Sequence, residues 1–367
     1  MIATSKDLIL LLGAGASVEA DIPASALMIE NLEKLLCNNE PLSRFRSLYQ
    51  QVKSSIFYSA GLQGKFGGDV NYNIEVLVNT LWELERNELH PLYPFIATWN
   101  AKFSSLAGTD FSNVLEFKNE ILRQLKNWVQ MKYKRKGNYY KGLVELQSAM
   151  QIPLRVFSLN YDLCVEGIGN DDFLVETGFG PDENEPAWDW RRFDDGEIER
   201  SSPHILLYKM HGSIDWIRDA DDRLLSVDYA GENIAPEKME VIFGRDFKLQ
   251  ASDPFLFYAY EFRRFCLDSK LIVCIGYGFG DEHINKIIGQ SLRQDPMRRV
   301  LVVRPKPEGD SLAHFQCGVQ EYVARQLRVR DISLILVSPM TAKEFLSEPD
   351  LLSYLVERFA IPQDAPF

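Results

Sequence analysis

Leu8-Ile9-Leu10-Leu11-Leu12-Gly13-Ala14-Gly15-Ala16-Ser17, with Asp21-Ile22-Pro23 close behind, decides how this chain folds. Five apolar residues that stop at a Gly-x-Gly turn suit a strand covered on both faces and entering a tight turn. The flanks tempt a secretory reading, but Asp7 precedes the run, Glu19 follows it, and Gly-Ala-Gly is not a cleavage-type site. Four further apolar runs, at residues 153–159, 271–275, 299–303 and 332–337, repeat the pattern. Short apolar runs alternating with helix-length segments predict an α/β fold, a parallel sheet with helices on both faces. Ligands in such sheets bind at the carboxyl ends of the strands. Chemistry is therefore sought in the residues just after each run.

Composition narrows the function. The chain has 367 residues, 46% hydrophobic and 25% charged, which fits a folded globular protein rather than a disordered one. Lys and Arg number 40 against 52 Asp and Glu, a net charge of -12, which argues against wholesale wrapping of nucleic acid. No direct sequence-specific nucleic-acid binding is expected. The five cysteines are scattered and form no C-x-x-C pair, so neither a disulfide framework nor a cysteine zinc site is expected, and a reducing cytoplasm fits. No apolar run approaches the roughly 18 residues of a membrane span. The five histidines form no H-x-x-x-H or H-E-x-x-H group, and there is no G-x-S-x-G elbow and no P-loop.

Two insertions are expected within a single domain covering 1–367. Residues 40–150 read as a helical subdomain, with Leu77, Leu81 and Leu84 and then Ile121, Leu122, Leu125, Trp128 and Val129 at helical spacings. Its 118–141 portion holds eight basic residues and one acidic, either a solvated helix face or a docking surface for an acidic partner. Residues 167–204 read as an acidic insertion loop, since 181–200 carries eight acidic and three basic residues with two Trp.

Four motifs carry the chemistry. Gly13-Ala14-Gly15 lets a backbone approach a phosphate at a helix N-terminus, or makes only a tight turn. In Asn160-Tyr161-Asp162, Asn160 can hold a ribose hydroxyl or a water, while Asp162 orients a neighbour or caps a helix. Lys209-Met210-His211-Gly212 puts an imidazole after a strand-like run, with Gly212 leaving room for a ligand. Gly276-Tyr277-Gly278-Phe279-Gly280-Asp281-Glu282-His283 alternates glycine with aromatics, suiting a loop laid against a nucleotide or a capped helix start.

Each motif is weak alone, but the ordered set resembles the sirtuin superfamily. Tyr161 within Asn-Tyr-Asp and the Gly-rich stretch after residue 275 resemble its bacterial sirtuin-like branch. Val241-Ile242-Phe243-Gly244 is similar to a strand that family carries after its His-Gly. The resemblance implies a Rossmann-like sheet that binds NAD. It would place Gly13, Ala14, Gly15, Ser17 and Asp21 at the pyrophosphate and ribose, and Gly212, Gly276, Tyr277, Gly278, His283 and Arg304 along the rest of the cofactor. Asn160 would hold the nicotinamide ribose and an attacking water, Asp162 would sit beside the nicotinamide pocket, and His211 would serve as general base.

The departures bear on activity. Deacylating sirtuins follow Ile-Pro with Asp-Phe-Arg, where this chain has Ala24-Ser25-Ala26, and they carry four zinc cysteines where residues 213–265 hold none. No zinc module and no metal are expected, and deacylation loses half its seat. Glycosidic cleavage of NAD is untouched, because nicotinamide is a good leaving group and its departure needs only a shielded oxocarbenium-like centre and a positioned water. The resemblance implies an NAD glycohydrolase acting as the toxic effector of an antiphage, abortive-infection system. It also implies self-association and a partner ATPase of the HerA type. The alternative is a non-catalytic module that senses NAD or ADP-ribose for a partner protein.

Overall fold

The computed structural model describes residues 7–38, 40–67, 70–86, 101–108, 111–130, 134–180, 187–194, 196–198, 203–227, 238–241 and 253–359. The strand-like residues 242–244 and several charged positions of both insertions lie outside these.

Seven strands form one parallel sheet. They are β1 (Leu8–Leu12), β2 (Leu154–Ser158), β3 (Val175–Glu176), β4 (Ile205–Lys209), β8 (Leu271–Ile275), β9 (Arg299–Val303) and β10 (Ile335–Ser338), in the order β10-β9-β8-β1-β2-β4-β3. All five residues of β1, β2, β4 and β8 are buried, as expected of strands covered on both faces. Successive side chains of β1 enter opposite cores. Leu8, Leu10 and Leu12 join one apolar cluster, and Ile9 and Leu11 join the other, the period of two that a pleat imposes. The run predicted at 332–337 is shorter as a strand, because Asp331 caps a 3-10 turn over Ile332–Leu334 and extended backbone begins at Ile335.

The first cluster is roofed by α1 (Ser25–Asn38), α2 (Glu40–Ser43), α3 (Arg46–Leu62), α4 (Ile74–Arg86), α5 (Ala101–Ala107), α6 (Ser112–Val129) and α7 (Gly142–Met150). Buried residues of the 40–150 insertion thus share one core with β1 and β2. The other face is covered by α8 (Phe255–Asp268), α9 (Glu282–Gln294) and α10 (Leu312–Leu327). A second sheet holds β5 (Gly212–Arg218), β6 (Leu224–Ser226) and β7 (Met239–Val241) in the order β6-β5-β7. The acidic insertion is not simply an exposed loop where it is described. Phe193 is buried, the Trp188 indole donates to the Tyr258 hydroxyl at 2.8 Å, and Arg192 grips Glu176 with two bonds of 2.8 and 2.7 Å.

The basic 118–141 segment is partly spent inside the fold. Lys118 and Lys126 are buried, Lys118 pairs with Glu85, and Lys136 pairs with Asp21. No described helix is long and apolar enough to cross a membrane.

The chain passes from β1 to β2 and β4 on one side, then returns to β8, β9 and β10 on the other. The order reverses beside β1, and the crevice at that switch point is where open α/β sheets seat ligands.

Candidate active site

The glycines at the switch point face protein. A Cβ on Gly13 would lie 2.6 Å from the Tyr277 Cα, and one on Gly15 would lie 2.8 Å from the Gly276 carbonyl oxygen. The Gly13 amide donates to the Ile275 carbonyl at 3.0 Å and the Gly15 amide to the Gly276 carbonyl at 2.9 Å. The lack of side chains at Gly13, Gly15 and Gly276 therefore serves the contact between two loops, and two of the amides that sequence reading aimed at a phosphate are already bonded. Ala14 lines a small cavity beside them.

That cavity, about 20 Å³, is bordered by Ala14, Glu75, Asn160, Tyr161 and Asp162. Behind it lies a closed set of hydrogen bonds. Ser17 Oγ donates to Asp162 Oδ2 at 2.7 Å, and Asn160 Nδ2 reaches Ser17 Oγ at 3.2 Å. The Tyr140 hydroxyl is 2.9 Å from the same oxygen. Because the one Ser17 proton goes to Asp162, both Tyr140 and Asn160 must donate, which fixes the amide orientation of Asn160. Its Oδ1 is buried and has no hydrogen-bond partner among the described residues. Both oxygens of Asp162 are engaged, since Oδ1 accepts the Cys164 amide at 3.0 Å. Ser17 is likewise a brace for Asn160 and Asp162 rather than an open contact.

His211 follows β4 and is 2% exposed. Its Nε2 lies 3.3 Å from Asp281 Oδ2, and its ring centroid 6.4 Å from that of Tyr161. Asp281 does two jobs. Its Oδ1 caps α9 by accepting the amides of His283 at 2.8 Å and Ile284 at 3.1 Å, while Oδ2 holds the imidazole. Burial alone would lower the His211 pKa, but the bond to Asp281 and the charges of Glu75 and Asp281 overcome it and raise the value. Burial opposes Asp281 too, yet the His211 contact and the two amides hold its carboxyl below the ordinary range. Tyr161 and Glu75, which border the cavity together with Asn160, thus link it to His211.

A raised pKa makes His211 a stronger base with a smaller unprotonated fraction at neutral pH. Asp281→Asn removes the charge that sustains this. The His211 titration followed by NMR is expected to move to lower pH, and an unmoved or rising titration would contradict the assignment.

Glu75 was not foreseen from sequence. It stands in the first turn of α4, accepts a hydrogen bond from the Tyr161 hydroxyl, and has a pKa raised chiefly by burial, with His211 opposing and Asp281 adding to the rise. The signal available was a carboxylate between Ile74 and Val78, both buried, on an amphipathic helix.

Residues 154–327 match the model of the SIR2-like domain. That stretch, from β2 to the end of α10, is a SIR2-like domain. No curated protein matches it. Among solved structures it is similar to a Sir2 homologue–NAD complex, at 12% identity over 97% of this chain and 93% of that one, with a TM-score of 0.44. It is also similar to a mutant Sir2 homologue bound to 2′-O-acetyl ADP-ribose, at 12% identity over 99% and 97% of the two chains, with a TM-score of 0.44. A mutant Sir2 homologue–ADP-ribose complex gives 11% identity over 99% and 98%, with a TM-score of 0.43.

The remaining predicted positions are spread along the crevice and beyond it. Gly212 does not leave ligand space: its φ is +83°, and a side chain there would run into the Glu240 carbonyl of β7. Gly278 is open, with nothing within 4 Å of an added Cβ, and its carbonyl accepts the Tyr322 hydroxyl at 3.0 Å. Tyr277 is buried, and its hydroxyl donates to Asn285 Oδ1 at 2.9 Å, so it braces the loop. His283 is half-buried in the first turn of α9, and Arg304 is exposed at the carboxyl end of β9. Asp21 is exposed and paired with Lys136, so the structure does not bring it to Asn160. Among the described residues no group of three or more His, Cys, Asp or Glu side chains is placed to hold a metal ion.

Beyond the buried Lys209 lies a larger cavity, about 330 Å³, lined by residues including Glu166, Phe173, Phe179, Asp215 and Trp216. The Lys209 ammonium donates to the Asp162 carbonyl and pairs with Glu166 Oε1 at 3.0 Å. Burial, opposed by Lys209 and reinforced by Asp215, pushes the Glu166 carboxyl up to about 7.

Proposed function

We propose that this chain cleaves NAD to nicotinamide and ADP-ribose. The observation that carries the reading is the Asn160 carboxamide. Its nitrogen is tied to Ser17, its oxygen has no protein partner among the described residues, and the residue borders the cavity beside the switch point. That oxygen accepts a hydrogen bond from a water or a ribose hydroxyl as the pyridinium leaves. His211, made more basic by Asp281 and Glu75, takes a proton from a neighbouring ribose hydroxyl. Leaving-group departure needs no acid, because the nicotinamide nitrogen recovers its electron pair and becomes neutral.

The SIR2-like domain matched by residues 154–327 supports the class of ligand. The departures at Ala24-Ser25-Ala26 and at the cysteine positions speak for hydrolysis over deacylation. A cavity of about 20 Å³ admits one water and not a ribose, so α1 and α4, whose Ser25, Met28, Ile74 and Glu75 border it, must move before NAD enters. A crevice this narrow suits an effector held off until a cytoplasmic trigger arrives. We propose on that basis a role in antiphage defence, with the chain self-associating and controlled by a separate polypeptide such as a HerA-type ATPase.

The test is product analysis by mass after incubation with NAD, with the chain alone and with its assembled partner. Free ADP-ribose and nicotinamide in equal amounts are expected. An O-acyl adduct with an acylated peptide would select deacylation instead, and saturable binding with unchanged NAD would select the sensor.

A further inference from the structure

Glu75 shares its cavity with Asn160, and nothing so far gives it a task. Three carboxylates come near this crevice, and two are occupied. Asp162 accepts from Ser17 and Cys164, and Asp281 accepts from His211, His283 and Ile284. Glu75 accepts from the Tyr161 hydroxyl, which steadies it and leaves further lone pairs. A cavity of about 20 Å³ is the room one water needs. Two residues that border it carry acceptors, the Glu75 carboxylate and Asn160 Oδ1, and two acceptors match the two O–H groups of that water. A water that donates both hydrogens to fixed acceptors turns a lone pair to the open side.

We propose that Glu75 is the catalytic base that deprotonates the attacking water, so that the 40–150 insertion supplies part of the reacting centre. The inference rests on the NAD-cleaving reading. In the step, the bond between C1′ and the nicotinamide nitrogen breaks with its electron pair going to nitrogen. A water lone pair forms the new C1′–O bond, and the water proton passes to Glu75 and then to solvent. NAD and water give ADP-ribose, nicotinamide and one proton. The titratable groups facing Glu75 are Tyr161 and Asp162 after β2, His211 after β4, Tyr277 after β8 and Asp281 at the start of α9. Burial raises its pKa toward the range where a base works at neutral pH.

The test compares wild type, Glu75→Gln and Glu75→Ala in the assembly that turns over NAD, with and without sodium azide. Azide is already an anion and needs no base. Loss of a general base is expected to cut nicotinamide release by about 10²–10⁴-fold in both variants. Azide should restore Glu75→Ala and yield azido-ADP-ribose by mass, while ADP-ribose binding stays within about threefold of wild type. Circular dichroism identifies any variant that fails to fold, and the isosteric Glu75→Gln, through loss of the acid limb of its pH profile, then decides alone. Glu75→Gln at wild-type rate, or a loss that azide does not restore, overturns the role of Glu75 while the hydrolase reading survives. A wild type that never releases nicotinamide overturns both.

Discussion

Asn160→Ala is expected to lower nicotinamide release by about 10²–10³-fold, the order seen when one preorganised polar group is lost from a reacting centre. ADP-ribose binding should change only a few-fold, because the truncation leaves the other polar groups of the crevice in place. The truncation removes Oδ1, the atom free to hold a water or ribose hydroxyl, and with it Nδ2, which donates to Ser17 at 3.2 Å. The second loss is minor for stability, about 1 kcal/mol for a neutral hydrogen bond, since Ser17 keeps Tyr140 and Asp162. A small fall in melting temperature with a large fall in turnover is the expected signature. Equal turnover in wild type and variant would remove the central residue of the proposal.

Asn160→Asp sharpens the test. It keeps an oxygen but cannot donate to Ser17, whose single proton already serves Asp162. A second carboxylate would then stand across Ser17 from the first. This variant is expected to be both less stable and slow. Recovery of activity by the aspartate alone would mean that an acceptor oxygen suffices and that the Ser17 brace is unimportant.

The sheet was legible because physics writes parallel strands plainly. A strand buried on both faces has no polar alternation, so Leu8–Leu12 and Leu271–Ile275 read as unbroken apolar runs between turns. The carboxyl-end rule then pointed to Asn160 and His211 without any knowledge of their contacts. Two other matters were hidden. A glycine announces that something passes close, not what passes, and at Gly13, Gly15 and Gly212 it is another stretch of this same backbone. Partnership across the fold was also hidden. Glu75 meets Tyr161 and His211 only because α4 is laid over the ends of β2 and β4, and helical spacing shows a face without showing what that face will cover. Asp281 was legible as a cap, and its cap role proved true, but a carboxylate has two oxygens and the second one holds His211.

The Gly-rich loop after β8 separates packing from ligand contact within three residues. Gly276→Ala is expected to destabilise the protein by roughly 2–5 kcal/mol, the sum of left-handed backbone strain and overpacking. Gly276 has a φ of +63°, and its Cβ would collide with the Ala16 amide nitrogen and the Gly15 backbone. Relief requires the two loops to part, which strains the Gly15 amide bond to the Gly276 carbonyl at 2.9 Å and the Gly13 bond to Ile275 at 3.0 Å. Gly278→Ala is the control, with nothing within 4 Å of its added Cβ and no left-handed φ, and it should shift stability by no more than about 0.5 kcal/mol. Urea unfolding of the two variants checks this, and for a chain of this length about 4 kcal/mol corresponds to a melting point lower by roughly 5 °C. Should Gly276→Ala unfold like wild type while nucleotide binding is lost, the glycine would be there for the ligand, and the loop-to-loop account of the switch point would be wrong.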